Sequence, residues 1–364
     1  MIKDRIPGFG RLFGAALSCG LLAATAVPAA AQDKLSFAWP GNMSSSIAPF
    51  ILASELGYFK DENINLDVVV LSGSGVINPQ LMAGALFTAY TTYEPLIISR
   101  KPGNPNFDFR FGYNAVRRSI WEMSVLEESP IKSIKDLAGK TIGVGALTFG
   151  NVLMTKAILK REGIDPGSVQ FVAVGVGATA FQALKSGKVD ALNIYDISNV
   201  LLQQQGTKIR FIPFPPEFSR ISSHGLPFTN KNIKENPKQV IGFGRATAKG
   251  TIACIANPEG CLAAYWKAYP AQKPPGTNAD ALRRELPLLN TRIEHMEFWR
   301  EGEPKKYGAY DDKDWSPSIT SLREGGLIDD TPIGLDTLYT NQFVDEYNKF
   351  DEATVVKAAK AYKP

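Results

Sequence analysis

Residues Ile131–Leu192 read IKSIKDLAGKTIGVGALTFGNVLMTKAILKREGIDPGSVQFVAVGVGATAFQALKSGKVDAL, and this stretch decides the fold. Twice a short apolar strand runs into a glycine-rich loop that opens a helix. The first unit is Thr141–Val144, the loop Gly145–Phe149 and a helix from about Asn151; the second is Val169–Val174, the loop Gly175–Thr179 and a helix to Lys188. Strands alternating with helices predict an α/β protein with a parallel sheet. In such sheets ligands sit outside the carboxyl ends of the strands, where loop N–H groups and helix N-termini point outward. The stretch therefore predicts a small-molecule site built largely from backbone. Gly175–Ala180 also matches G-x-G-x-x-A, a dinucleotide fingerprint, although a glycine loop lining a cleft accounts for the same residues.

Upstream, Leu35–Trp39 reads as a strand, followed by the loop Pro40–Ser46 and a helical pattern over Ile47–Phe59. Ile64–Leu71 is a second strand, closed by Ser72–Gly75, and a short helix to Ala83 leads to a third strand, Leu86–Thr91. Phe107–Tyr113 and Met123–Glu127 are further strands. Downstream come the strand Val189–Ile194, a helix through Leu201–Gln205 and the strand Ile209–Phe214, stopped by Pro213, Pro215 and Pro216. From Pro237 the pattern is mostly helical: Val240–Ile255, Cys261–Tyr269, Asp280–Leu289, Ser318–Leu322 and Thr340–Tyr347.

At the N-terminus, Lys3, Arg5 and Arg11 precede the apolar run Leu12–Val27 and then Ala29-Ala30-Ala31. This is the layout of a secretory signal peptide, residues 1–31, whose removal leaves Gln32 first. A membrane anchor needs roughly 18 apolar residues, more than this run offers. A lipoprotein signal around Ala16–Cys19 is disfavoured because the apolar run continues past Cys19. An exported, soluble periplasmic chain is expected. The 40 basic and 36 acidic residues become 37 and 35 without the leader, which holds three Lys/Arg and one Asp. So mild a balance, with no basic block, argues against nucleic acid as a partner. Cys254 and Cys261 flank IANPEG, a turn signal between two helical patterns. In an oxidising compartment a disulfide is expected there ahead of two free thiols. Metal binding is not, since CxxC spacing and a nearby His are both missing.

The order of "ILASELGYFKDENINLDVVV" (Ile51–Val70), "IKSIKDLAGKTIGV" (Ile131–Val144), "GIDPGSVQFVAVG" (Gly163–Gly175) and "ALKSGKVDAL" (Ala183–Leu192) resembles the periplasmic substrate-binding proteins of ABC importers. The nearest branch is the alkanesulfonate, taurine, nitrate and thiamine-precursor binding group. The resemblance implies a two-lobed periplasmic-binding-protein fold of type II. Each lobe would be a mostly parallel α/β sheet flanked by helices, with two hinge crossings and the ligand in the cleft. Carried over, lobe 1 is residues 32–118 plus 219–364, lobe 2 is residues 119–218, and the hinge lies near Asn114–Arg118 and Phe214–Ser219. One departure concerns Leu81–Phe87 (LMAGALF), which lacks the acidic residue relatives carry there, so no role is transferred to it.

Candidate ligand-binding residues follow from strand ends and loops. Thr148, Phe149, Gly150 and Asn151 open a helix whose N–H groups can take an anion or a carbonyl, or form an ordinary cap. Gly177 and Thr179 belong to the second glycine loop. Trp39, Asn42, Ser44 and Ser45 occupy the first strand-end loop, and Thr92, Tyr93 and Glu94 end another strand. Asn114 and Trp121 flank the hinge, and Tyr195 and Asp196 end a strand on the expected cleft side. Glu94 and Asp196 are acidic where Lys and Arg are scarce, which favours a nitrogen-bearing aromatic or heterocyclic ligand, or an aminosulfonate, over a bare sulfonate or nitrate.

Of the two histidines, His295 is expected to pack or face solvent, and His224 to pack near the returning hinge, with ligand contact as the alternative. No G-x-S-x-G, H-E-x-x-H or zinc-type cluster occurs, so catalysis, a cofactor and a metal are not expected. An intracellular thiamine-pyrimidine synthase branch shares the implied fold, but its cysteine-rich motif is not found here. The expected partners are a small-molecule ligand and an ABC permease with its ATPase, served by a monomer closing on its hinge. A sensing partner of a membrane receptor is the alternative.

Overall fold

The computed structural model describes residues 32–363, so the expected leader Met1–Ala31, with Cys19, lies outside the described residues. The first sheet centres on β1 (Asp33–Pro40), flanked in parallel by β2 (Ile64–Leu71) and β3 (Thr88–Ala89). Phe37, Ala38 and Trp39 are all buried, because the carboxyl half of a central parallel strand is covered on both faces. Tyr90 still donates its N–H to Ala38, 2.9 Å away, after which the chain changes sheets. The next two residues, β4 (Thr91–Thr92), pair with a later strand instead. That second sheet is antiparallel, with β5 (Phe109–Val116) on its other side.

The third sheet holds all the strands between residues 121 and 212: β6 (Trp121–Leu126), β7 (Thr141–Val144), β8 (Gln170–Ala173), β9 (Ala191–Tyr195) and β10 (Ile209–Ile212). Their order is β10-β6-β9-β7-β8. The three from β9 to β8 run parallel, as the alternating pattern requires, whereas β6 is antiparallel to both its neighbours. The sheet is thus mostly parallel, as expected: β10 runs in the same direction as β9, β7 and β8, and only β6, the strand entering this lobe, opposes them. Pairing of Trp121 with Tyr195 brings the start of β6 to the carboxyl end of β9.

Two segments connect the sheets. Residues 117–120 run from β5 into β6, and residues 213–223 return from β10 to β11 (His224–Thr229), which completes the second sheet between β4 and β5. The strand β11 was not expected, because Gly225 and Pro227 interrupt its pattern; its register shifts at both places.

The C-terminal helices brace both lobes. Helix Pro237–Ala256 packs on helix Ala48–Glu55, where a Cβ at Gly250 would stand 2.4 Å from the Pro49 carbonyl oxygen. Helix Asn278–Met296 reaches helix Asp196–Gln204 of the third sheet's lobe, and Gly325, just past helix Ser316–Glu324, abuts Ala157 in helix Gly150–Arg161. The expected helix Thr340–Tyr347 is shorter, Val344–Tyr347, and a last helix, Glu352–Ala361, is capped by Asp351.

Cys254 and Cys261 form a disulfide, with Cα atoms 5.1 Å apart. Asn257 makes this geometry: its side chain accepts from the Gly260 N–H at 2.9 Å, starting helix Pro258–Ala268 directly after the preceding one ends. A bridge over so short a separation, seven residues, removes about 2.5 kcal/mol of unfolded-chain entropy. The Cys254→Ala, Cys261→Ala double variant is expected to lose about that much stability in urea unfolding.

Candidate functional site

A cleft opens between the third sheet and the first two. It is built from strand ends. From β1 come Trp39 and Pro40, and from the loop beyond, Asn42, Ser44 and Ser46. The turn after β2 gives Gly73 and Ser74, and the handover from β3 to β4 gives Tyr90 and Thr92. Across the gap stand Ile120, Trp121, Phe149, Gly150 and Tyr195, while His224 and Arg292 close the floor.

Aromatic rings dominate this lining. Trp39 stacks on Tyr90 (centroids 4.7 Å apart, planes 25°), and Tyr90 stacks on His224 (4.8 Å, 21°). Trp121 stands opposite, 5.9 Å from His224, 6.1 Å from Phe149 and 6.3 Å from Tyr195. Phe149 enters the facing lobe through glycines: a Cβ would lie 3.0 Å from its ring at Gly41 and 2.5 Å at Gly73. Both glycines also have positive φ, 79° and 78°, so a side chain there would meet both strain and a clash.

The rim is pinned by neutral hydrogen bonds. The Thr148 hydroxyl donates to the Ser72 carbonyl (2.6 Å), and the Gly75 N–H donates to the Thr148 carbonyl (3.2 Å). Thr148, read from sequence as a ligand group, is therefore engaged in joining the two sides, and it does not line the cavity.

Other expected ligand residues are placed elsewhere. Ser45 is buried in its loop and does not line the cavity. Tyr93 points into an aromatic core beside Phe111 and Trp315. Asn114 donates to Ser222 Oγ at 3.1 Å. Gly177 and Thr179 fall away from the cavity because β8 is the sheet's outer strand, so its loop opens at the edge. Glu94 and Asn151 lie in an adjoining chamber behind Trp121. Of the sequence-derived set, Trp39, Asn42, Ser44, Thr92, Trp121, Phe149, Gly150 and Tyr195 come together here.

Asp196 requires a correction. It opens a helix instead of ending a strand, and both its oxygens are occupied. Oδ1 accepts from Arg292 Nη2 (2.5 Å) and from the Ile197 N–H (2.8 Å), and His295 Nδ1 lies 3.0 Å from Oδ2. Burial alone would raise this carboxyl, but the Arg292 charge and the His295 contact outweigh it and hold it at about 2. Asp196 thus anchors Arg292 and has no oxygen left for a ligand. Arg292 itself was missed: it comes from a helix 96 residues away, and nothing near it in sequence marks it as a cleft residue. Tyr90, also missed, lies inside the expected strand Leu86–Thr91 and was hidden by the change of sheets after it.

Residues 44–261 match the NMT1/THI5 like family. The chain belongs to that family. Among curated relatives, it is 24% identical over 329 residues to the riboflavin-binding protein RibY of Chloroflexus aurantiacus, covering 88% of each chain. Among solved structures, the periplasmic aliphatic sulphonate binding protein SsuA from Escherichia coli superposes with a TM-score of 0.59 at 16% identity, over 85% of this chain and 99% of that one. The desulfurization enzyme DSZB gives 0.52 at 16% identity, over 87% and 99%. Such identities establish the shared fold, the two-lobed periplasmic-binding-protein architecture, and that fold carries both binders and an enzyme.

His224 and Asp196 give the protein two acid-sensitive groups. Burial, with the nearby Arg292 charge adding to it, depresses the His224 imidazole from 6.5 to about 3. The unfolded chain therefore binds a proton that the fold refuses, so stability is complete above pH 6.5 and declines as pH falls toward 3. Asp196 adds a second loss between its unfolded value of 3.8 and about 2. His224→Phe is expected to flatten the fall in melting temperature between pH 6.5 and 4.5 while leaving the steeper loss below about pH 4. Arg292→Met, which strands a buried carboxylate, is expected to cost about 3–5 kcal/mol in urea unfolding, with much of it recovered in the Asp196→Asn, Arg292→Met double variant.

Proposed function

We propose that this protein is the exported solute-binding component of an ABC importer, and that it captures a flat, nitrogen-bearing aromatic or heterocyclic ligand between its lobes. One observation carries the reading: rings converge on a single cleft from both sides, Trp39 and Tyr90 facing Trp121, Phe149 and Tyr195. Aromatic faces give a planar ligand large contact area, and the few polar groups between them, Asn42, Ser44, Ser74 and Thr92, fix its orientation. The riboflavin ligand named for RibY belongs to the same chemical class.

In this reading residues 32–118 and 219–364 form one lobe and residues 119–218 the other, turning about the crossings at 117–120 and 213–223. Ligand contacts made to both lobes favour the closed form, which a permease and its ATPase then unload. Residues 1–31 act as the export leader, placing the monomer in the periplasm. An aminosulfonate is the second ligand class, favoured by Arg292 in the cleft wall; however, that charge is already paired with Asp196. Capture fits better than turnover, because the cleft lining contains no cysteine and His224 Nδ1 is held by Ser223 Oγ at 2.9 Å.

A thermal-shift screen of riboflavin, aminopyrimidines, taurine and alkanesulfonates tests this directly. Flat heterocycles are expected to raise the melting temperature and quench tryptophan fluorescence, and Trp121→Ala is expected to weaken their binding by about tenfold or more. Stabilisation by alkanesulfonates alone, or full affinity in Trp121→Ala, would refute the aromatic-ligand reading.

A further inference from the structure

Behind Trp121 lies a second chamber, bounded by Glu94, Asn151, Thr155, Ser119, Ser222 and Ser223, together with apolar side chains of helix Gly150–Arg161 and of the returning crossing. It shares a wall with the cleft. Trp121 lines both spaces, and neighbouring residues divide between them: Thr92 and Gly150 face the cleft, Glu94 and Asn151 the chamber.

The chamber's polar chemistry is one-sided. Glu94 is 6% exposed and Asn151 1%, yet Glu94 Oε2 and Asn151 Oδ1 accept no hydrogen bond from the protein. The Asn151 amide cannot turn to change this. Its Nδ2 donates to the Asn193 carbonyl (2.9 Å) and to Asn193 Oδ1 (2.6 Å), and Thr155 holds that same Oδ1 at 3.0 Å. The oxygen of Asn151 is thereby fixed as the free acceptor.

Among the described residues no Lys, Arg or His forms an ion pair with Glu94. Its compensation is partial: helix Gly150–Arg161 begins against it, close enough that a Cβ at Gly150 would stand 2.7 Å from Oε2. Burial pushes the carboxyl up, with the Thr92 hydroxyl and the Glu94 N–H pulling the other way. A buried carboxylate and a buried amide oxygen without donors are costly unless something brings donors to them. The indole N–H of Trp121, on the partition, is also unpartnered.

We propose that this chamber receives a positively charged, N–H-donating arm of the ligand, an ammonium group held by Glu94 Oε2 and Asn151 Oδ1, while the ligand's ring remains in the aromatic cleft. The proposal rests on the cleft reading above and extends it. An ammonium has donors for both acceptors and no acceptor of its own to leave stranded. A sulfonate or carboxylate arm would be repelled by Glu94 and would bring no donor to Asn151 Oδ1. The chamber therefore selects for a cationic arm and against an anionic one, independently of what the rings select.

Matched probes separate the two readings. Quinolinylmethylamine and methylquinoline share a flat ring and differ in the ammonium arm; their affinities for the full protein are measured by calorimetry. The amine is expected to bind at least about tenfold more tightly. Glu94→Gln is expected to bring the amine's affinity down to that of methylquinoline without lowering the melting temperature, since it removes a buried charge, and Asn151→Ala to reduce the difference. If both probes bind equally to the wild type, the chamber proposal fails and the aromatic cleft survives. If the amine's advantage persists in Glu94→Gln, the ammonium is held elsewhere and the proposal fails as well. If neither binds the folded protein, the aromatic cleft reading falls, and this proposal with it.

Discussion

Asp196 and Arg292 form a buried ion pair whose side chains are 1% and 3% exposed, and it sits where the two lobes meet. Its position matters more than its strength. The Asp196 N–H donates to the Ile120 carbonyl at 2.8 Å, and the Arg117 N–H donates to the His295 carbonyl at 3.0 Å. Asp196 and the helix that carries Arg292 are thus both tied to the crossing at residues 117–120. Breaking a buried pair leaves an uncompensated charge, which costs more than any neutral contact at the rim. In the proposed hinge motion the pair would be the fixed pivot, and the C-terminal helix Asn278–Met296 the element that holds it.

From that pivot the placement of the site follows. The N-terminus of helix Asp196–Gln204 is fixed, so Tyr195 and its partner Trp121 are held at the cleft side of the third sheet. Arg292, turned toward Asp196, also stands beside Tyr90, whose hydroxyl burial and the arginine influence in opposite directions. The stack of Trp39, Tyr90 and His224 then forms a floor that a neutral His224 can share without introducing a second buried cation next to Arg292. Burial first, and the Arg292 charge second, depress the imidazole.

Local sequence revealed the strands because buried parallel strands are apolar runs, and TIGV or INLDVVVL can be read without knowing their neighbours. Strand order is a different matter. The loops after β7 and β8 are equally glycine-rich, yet only the first contributes to the cleft, since β7 is interior and β8 is at the edge. Gly177 and Thr179 looked as good as Phe149 and Gly150 for that reason. The strand HGLPFT was obscured by its own Gly225 and Pro227, and Arg292 by its distance along the chain. Of the two carboxylates, Glu94 forms an ion pair with no cation among the described residues, whereas Asp196 is bound by one. Neither could be known from composition, because pairing is a tertiary fact.

The contrast between pivot and rim bears on how the proposed motion would work. The contacts across the rim are two neutral hydrogen bonds, each worth about 0.5–1.5 kcal/mol net, and the Phe149 ring among glycines. Contacts of that size shift an open–closed equilibrium by roughly tenfold each at most. They are too weak to lock the lobes, and water can satisfy the same groups when the lobes part. A ligand that bridges Tyr90 on one side and Trp121 on the other adds contacts that exist only in the closed form, and only such differential contacts can move the equilibrium. A strong pivot with a weak rim therefore leaves the choice of state to whatever occupies the cleft.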